Sequence, residues 1–147
     1  MTVLSIQLKH ILLLEDNGGV SSVLGLLLED ANYHVTSAER VVGACEILER
    51  EKVDLLIADV FLADGTASAA TDAARRLQVP YFLMTGSYEQ MARLKDNHEF
   101  YLGKPFHLMA FLVEVRDRIG PGDGVGRNLE GSNMEATNQD DLRRGGI

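Results

Sequence analysis

The stretch "ILLLEDNGG", residues 11–19, places four aliphatic residues directly before two acids, an Asn and two glycines. A short apolar run without polar alternation is typical of a strand buried on both faces of a parallel sheet. Residues 55–58 and 81–84 have the same character, and weaker runs occur at residues 35–37 and 100–102. The sequence therefore predicts five strands, of which three are buried on both faces.

Between these strands, the apolar residues recur with helical spacing. Residues 20, 23, 24, 27, 28 and 31 lie on one face of a predicted first helix. The spacing predicts further helices over 41–48, over an Ala-rich stretch at 67–77, near 89–96 and over 106–118. Five repeats of strand and helix predict an α/β fold, a doubly wound parallel sheet with right-handed crossovers and helices on both faces.

The domain organisation follows from length and from glycine content. A chain of 147 residues suits one domain, and residues 120–147 contain seven of its 14 glycines and almost no large apolar side chains. Such a segment buries too little surface to offset its ordering entropy. We therefore expect a folded domain over residues 1–119 and a flexible Gly-rich tail over residues 120–147.

Charge and cysteine content limit the classes of partner. The net charge of −8 disfavours direct contact with nucleic acid or with an anionic membrane, because both need a basic surface. A single Cys suits a reducing compartment. The first residues lack the pattern of a secretory signal, so we expect a cytoplasmic protein.

Polar side chains follow four of the predicted strands. Glu15 and Asp16 end the first strand, Asp59 ends the third, Thr85 the fourth and Lys104 the fifth. In an open parallel sheet, ligands bind at the carboxyl ends of the strands. Three carboxylates, a hydroxyl and an ammonium are therefore predicted to meet at one edge.

The predicted carboxylates need a counter-charge. Two carboxylates about 4 Å apart repel by about 4 kcal/mol at an effective dielectric near 20. One Lys neutralises one of them, and a divalent ion neutralises the rest. Oxygen ligands favour Mg²⁺, and a carboxylate beside Mg²⁺ and Lys can act as a nucleophile towards a phosphoryl group.

The chain resembles the receiver domain of bacterial two-component response regulators, in particular the stand-alone chemotaxis receiver. The segments "LLLEDN", "DLLIADVFLADG", "FLMTG" and "YLGKPF" carry the resemblance, in the family's order and at the ends of the predicted strands. Together they cover about residues 9–119. The resemblance implies a flavodoxin-like sheet with strand order 2-1-3-4-5. The spacing of the motifs is a few residues short, which implies a short or irregular fourth helix.

The resemblance also implies the roles of individual residues. Asp59 is the phospho-acceptor, and Lys104 contacts the phosphoryl group. Glu15, Asp16 and Asp59 hold Mg²⁺ together with the backbone carbonyl of Phe61.

The remaining motif positions imply a switch. Thr85 hydrogen-bonds the phosphoryl group once it has formed, and Tyr101 is the aromatic residue that follows it. Gly86 replaces a frequent Ala beside the phosphate, and Pro105 belongs to a Lys-Pro bond that is often cis in the family.

Family function implies a single-domain response regulator. A histidine kinase or histidine phosphotransfer protein donates the phosphoryl group to Asp59. The face formed by the fourth helix, the fifth strand and the fifth helix then binds a downstream protein target. A receiver of this kind catalyses only its own phosphorylation and dephosphorylation and is not an enzyme with an outside substrate.

The predicted fifth helix has two apolar stripes, although a helix packed on a sheet needs only one. We expect the surplus stripe either to cover neighbouring parts of the chain or to form a partner or homodimer surface. The residues assigned to that surface are Leu108, Phe111, Leu112 and Val115.

Three other functions remain open. In the first, the chain is the N-terminal receiver of a larger DNA-binding regulator. In the second, it is a receiver-like scaffold that binds partners without phosphorylation. The least favoured is a Mg²⁺-dependent phosphatase with an aspartyl-phosphate intermediate. Such an enzyme needs an acid two residues after its nucleophile, where this chain has Phe61.

Overall fold

The computed structural model describes residues 7–123, so residues 1–6 and 124–147 lie outside it. Strands and helices alternate in this part. They are β1 His10–Leu14, α1 Gly18–Asp30, β2 His34–Ala38, α2 Val41–Arg50, β3 Leu55–Asp59, α3 Ser68–Arg76, β4 Tyr81–Thr85, α4 Tyr88–Asp96, β5 Tyr101–Gly103 and α5 Leu108–Ile119. Two short antiparallel segments, Phe61–Leu62 and Gly65–Thr66, form a hairpin after β3, which we call the 61–66 hairpin.

The five strands form one parallel sheet in the order β2-β1-β3-β4-β5. β1 is an inner strand, paired with β2 on one side and with the central strand β3 on the other. Every residue of β1 is buried, as its unbroken apolar run predicts. The predicted fold class and strand order are confirmed.

The helices cover both faces of the sheet, as two separate core clusters show. Leu24 of α1 and Phe111 of α5 pack with Ile11 and Leu13 on one face. On the other face, α2, α3 and α4 pack with Leu12 and Leu14. The alternation of side chains along β1 therefore supplies both cores, which is the physical reason for its continuous hydrophobicity.

Helix α1 begins where the acidic pair ends. The side chain of Asn17 accepts a hydrogen bond from the N–H of Val20 at 3.1 Å and caps the helix. Leu24 and Leu28 are buried against the sheet, whereas Val23, which belongs to the predicted stripe, is exposed. The apolar stripe predicted for this helix is therefore wider than the face that packs.

Helices α3 and α4 are short, with nine residues each. The hydroxyl of Ser87 caps α4 by accepting a hydrogen bond from the N–H of Gln90 at 3.3 Å. Leu94 is the buried residue of α4. The prediction of a short fourth helix is confirmed, and its weak apolar pattern reflects this small buried face.

The partner surface predicted on α5 is wrong for two of its four residues. Phe111 and Val115 have no exposed surface, because they pack against the sheet in the core beside Phe82. Leu112 is partly buried against the same core, and Leu108 is partly exposed. The stripe that does reach solvent instead contains Met109 and Val113.

Residues 120–123 lie against the start of the sheet. The N–H of Lys9 donates to the carbonyl of Gly122 at 2.7 Å, and the hydroxyl of Tyr33 donates to the carbonyl of Gly120 at 2.6 Å. The remainder of the predicted flexible tail lies outside the described residues, so the boundary at residue 119 stays a prediction. Within residues 7–123, no helix is long and apolar enough to cross a membrane.

Candidate functional site

The carboxyl ends of β1 and β3 bring three acids together. Glu15 and Asp16 follow β1, and Asp59 is the last residue of the adjacent β3. One carboxylate oxygen from each of the three lies within 4.8 Å of the others. Their burial differs, since Glu15 is buried, Asp59 is half-buried and Asp16 is exposed. The predicted acidic cluster therefore forms at the edge of the sheet where ligands bind.

Lys104, which follows β5, bridges two of these acids. Its Nζ donates to Oε2 of Glu15 and to Oδ2 of Asp59, each at 2.8 Å. Its backbone N–H donates to the carbonyl of Thr85 at 2.7 Å and so fixes the start of the loop beside β4. The sequence predicted that one Lys would neutralise one acid, whereas this ammonium contacts two.

Burial and charge shift the pKa values of this pair. Burial raises the pKa of Glu15, and the nearby charge of Asp59 raises it further, although the hydrogen bond from Lys104 opposes both. Burial alone would lower the pKa of Lys104, but its hydrogen bonds to Asp59 and Glu15 outweigh this effect and raise it. The ammonium is therefore held in its charged form between the two carboxylates.

The donor set of this cluster fits a Mg²⁺ ion. Carboxylate oxygens are the hard ligands that Mg²⁺ prefers, and one or two carboxylates with water and phosphate oxygens complete its usual coordination. Glu15, Asp16 and Asp59 would hold the ion. Asp16 is the accessible member and Glu15 the one whose oxygens are already engaged, by Lys104 and by the N–H of Asn17 at 3.2 Å.

Thr85 ends β4 beside this cluster. It is buried, with 1% of its surface exposed, and its Oγ1 accepts a hydrogen bond from the N–H of Ser87 at 3.1 Å. At Gly86, an added Cβ would lie 3.8 Å from the side chain and the carbonyl of Lys104, which is ordinary contact. The site therefore has room for the Ala that is frequent at this position in the family.

Tyr101 and Pro105 flank the site along the chain. Tyr101 opens β5 opposite Leu83, is partly buried and packs against the same core cluster as Leu83. Because side chains alternate along a strand, Thr85 and Leu83 share one face of the sheet. Tyr101 therefore lies on the face of Thr85, one strand away. The bond between Lys104 and Pro105 is cis.

The segment after Asp59 forms a short hairpin. Residues 61–66 pair antiparallel, with Gly65 at a φ of +134° that favours glycine. The ring of Phe61 is half-exposed, and the role of its carbonyl as a metal ligand stays a prediction.

The sequence reasoning also missed Asp64, which caps helix α2 from within this hairpin. The "DG" pair at residues 64–65 signals a turn, but the contact with a helix 23 residues away carries no sequence signal.

Comparison with known proteins gives the class of this chain. The response regulator receiver protein CpdR of Brucella abortus is 33% identical over an alignment of 120 residues, which covers 76% of this chain and 98% of CpdR. The receiver domain of sensor histidine kinase PA1611 from Pseudomonas aeruginosa PAO1 has a TM-score of 0.67 at 27% identity, over 76% of this chain and 98% of that one. Its crystal structure has a magnesium ion coordinated in the active site cleft.

The transcriptional regulatory protein GlrR of Escherichia coli K12 is 43% identical over 115 residues, which cover 75% of this chain. The chain spans only about a quarter of the length of GlrR, 26%. No protein-family model matches the chain.

These findings identify the class: the chain belongs to the response regulator receiver proteins. More particularly, it is the receiver domain of a two-component response regulator, and such domains are regulatory.

Proposed function

We propose that this receiver is a phosphorylation-dependent switch that accepts a phosphoryl group on Asp59 with the help of Mg²⁺. The observation that carries the proposal is the bridge of Lys104 between Asp59 and Glu15, beside the exposed carboxylate of Asp16. A cluster of three acids and one ammonium has a surplus of negative charge. It therefore suits a ligand that brings a cation together with phosphate oxygens.

The residues of the chain would act as follows. An oxygen of Asp59 forms the new bond to phosphorus, while the bond from phosphorus to the imidazole nitrogen of the donor breaks and the nitrogen keeps the electron pair. The ammonium of Lys104 stays at Asp59 and balances charge on the phosphoryl oxygens. Bound Mg²⁺ would supply further charge balance, held by Glu15, Asp16 and Asp59 and by the carbonyl of Phe61.

In the proposed switch, Thr85 transmits the effect of phosphorylation from the site to the surface. Its hydroxyl turns from the N–H of Ser87 to the new phosphoryl group, and Tyr101 follows because it shares that face of the sheet. The affected surface is the α4-β5-α5 face, where α4 has a single buried side chain and its first residue, Tyr88, is 83% exposed. A few kcal/mol of differential contact is enough to shift such an equilibrium.

The proposed partners are a histidine kinase or histidine phosphotransfer protein as donor and a protein target for the switched face. We further propose a cytoplasmic location, with a second copy of the chain, in a homodimer, as an alternative partner. The near-complete coverage of CpdR supports a single-domain regulator. The similarity to GlrR supports the alternative, in which the chain is the N-terminal receiver of a larger DNA-binding protein. An immunoblot of the native protein separates the two, because only the first gives a band at the size of 147 residues.

The proposal is tested by incubating the protein with acetyl phosphate and measuring its intact mass. We expect one added phosphoryl group on the wild type with Mg²⁺, and none with EDTA or in Asp59→Asn. Glu46→Gln, an exposed substitution on α2, serves as the control and should be modified like the wild type. A wild type that is never modified, or an Asp59→Asn variant that is modified equally, would contradict the proposal. The first result would favour a phosphorylation-independent scaffold.

A further inference from the structure

Helix α2 is capped by a residue that is distant in the sequence. Its N-cap residue, Arg40, makes no side-chain hydrogen bond to the first turn. Instead, Asp64 accepts from the N–H of Val41 at 3.0 Å through Oδ1 and from the N–H of Val42 at 3.4 Å through Oδ2. A carboxylate at a helix N-terminus satisfies free N–H groups and complements the helix dipole. The hydrogen bond from Val41 holds the pKa of Asp64 below its ordinary value.

Asp64 is also part of the segment that follows the acceptor residue. It lies in the turn of the 61–66 hairpin, where Leu62 pairs with Gly65. The hairpin is closed at its base, since the N–H of Ala67 donates to the carbonyl of Val60 at 3.0 Å. Val60 is the neighbour of Asp59, so the contact between Asp64 and α2 holds the tip of the loop whose base carries the acceptor.

Helix α2, the other partner in this contact, is also connected to the acidic cluster. Val41 begins α2 shortly after β2, which ends at Ala38. The carbonyl of Ala38 accepts the backbone N–H of Glu15 at 3.0 Å. Glu15 is joined to Asp59 through Lys104. The contact between Asp64 and α2 therefore closes a ring of contacts and chain segments that passes through Glu15, Lys104 and Asp59.

We propose that Asp64 is a positioning residue for the metal site, because it fixes the 61–66 hairpin, which follows Asp59 and contains Phe61, relative to the segment of Glu15 and Asp16. This inference rests on the proposed function, which assigns Mg²⁺ to these carboxylates. Asp64 does not touch the ion and acts through the 61–66 hairpin and α2. Its loss lets the hairpin move away from the acidic pair, so the ligands meet the ion less often in the right geometry.

The experiment is a calorimetric titration with MgCl₂ of the wild type and three variants. Asp64→Ala removes the cap. Glu39→Gln removes one exposed negative charge and leaves the cap in place. The double variant Asp64→Ala/Gly43→Ala restores helix stability, because Ala is the better helix former and the space around Gly43 is open. Urea unfolding of each variant reports its stability independently of the metal.

We expect Asp64→Ala to raise the Kd for Mg²⁺ by no more than roughly tenfold, the low end of the range for lost outer-shell contacts at metal sites, because Asp64 acts on the ligands only through the hairpin and α2. Glu39→Gln should stay within about twofold of the wild type, on the scale of a screened surface charge. The double variant should recover its stability but keep the weakened affinity.

Three results would overturn the role of Asp64. They are an unchanged Kd in Asp64→Ala, an equal change in Glu39→Gln, and a wild-type Kd in the double variant, which would reduce the contact to helix stability alone. If the wild type itself does not bind Mg²⁺, the metal site fails and this role fails with it. A wild type that binds while Asp64→Ala binds equally well refutes the positioning role alone.

Discussion

Replacing Asp16 by Asn separates the electrostatic cost of the acidic cluster from the metal binding that offsets this cost. Asp16 is the exposed member of the cluster, whereas Glu15 and Asp59 each accept a hydrogen bond from Lys104. The substitution removes one negative charge and leaves the Lys104 bridge in place. We therefore expect opposite effects on stability with and without Mg²⁺.

The size of the effect follows from the separation of the carboxylates. Oxygens of Asp16, Glu15 and Asp59 lie within 4.8 Å of one another. At that distance, two unit charges repel by about 0.9 kcal/mol in a medium of dielectric 80 and by about 3.5 kcal/mol at 20. Because Asp16 is exposed and Lys104 offsets part of the repulsion, we use the lower value. Asp16→Asn should raise the free energy of unfolding by about 1 kcal/mol without metal.

The assay is urea unfolding followed by far-UV circular dichroism, since the chain has no Trp. Mg²⁺ at ten times its Kd should stabilise the wild type by about 1.4 kcal/mol and Asp16→Asn by much less, so the order of the two stabilities reverses. Glu46→Gln controls for a general loss of negative charge and should change stability by less than about 0.5 kcal/mol. The reasoning is refuted if Asp16→Asn is the less stable protein without metal, or if Mg²⁺ stabilises both proteins equally.

Three further predictions concern stability. In urea unfolding, Lys104→Met should lower the free energy of unfolding by about 3 kcal/mol at pH 8 and by less at pH 5. The loss is smaller at pH 5 because Glu15, whose pKa is already raised, can take up a proton when it loses its partner, so an equal loss at both pH values would contradict the prediction. Burial raises the pKa of Tyr33 above its ordinary value near 10, so the folded state binds this proton more tightly, and the resulting stability is present below pH 10 and lost as the pH rises through the folded pKa. Unfolding at pH 8 and pH 11 should therefore show a smaller loss in Tyr33→Phe than in the wild type. Gly122→Ala should lower the free energy of unfolding by about 1–3 kcal/mol and the thermal midpoint with it, because the added Cβ would lie 2.3 Å from the carbonyl oxygen of Asn32. Gly18→Ala is the control, since its Cβ would have no atom within 4 Å, and it should lower the thermal midpoint little or not at all.

The fold was predictable from the sequence because its strongest signals are local. The runs at β1, β3 and β4 are buried on both faces and therefore lack alternation, and the helices between them repeat with a helical period. What the sequence did not fix is which apolar stripe of a helix packs. Phe111 is buried and Met109 is exposed, although both are large and apolar, because the choice depends on how α5 lies on the sheet.

The site was predictable to the extent that the strand ends determine it. Glu15, Asp16, Asp59 and Lys104 come together because parallel strands end at one edge, and this is a matter of topology. The second hydrogen bond of Lys104, to Glu15, depends on side-chain geometry. The cap by Asp64 depends on the distance between two loops, which no local pattern records.

The most direct test of the central claim is to locate the phosphoryl group on the chain. After reaction with acetyl phosphate and Mg²⁺, the acyl phosphate is trapped by borohydride reduction and the modified residue is identified by peptide mass spectrometry. We predict a single modified residue, Asp59. Modification at Glu15 or Asp16 instead, or the same yield of modified peptide from Asp59→Asn, would contradict the assignment of Asp59 as the acceptor.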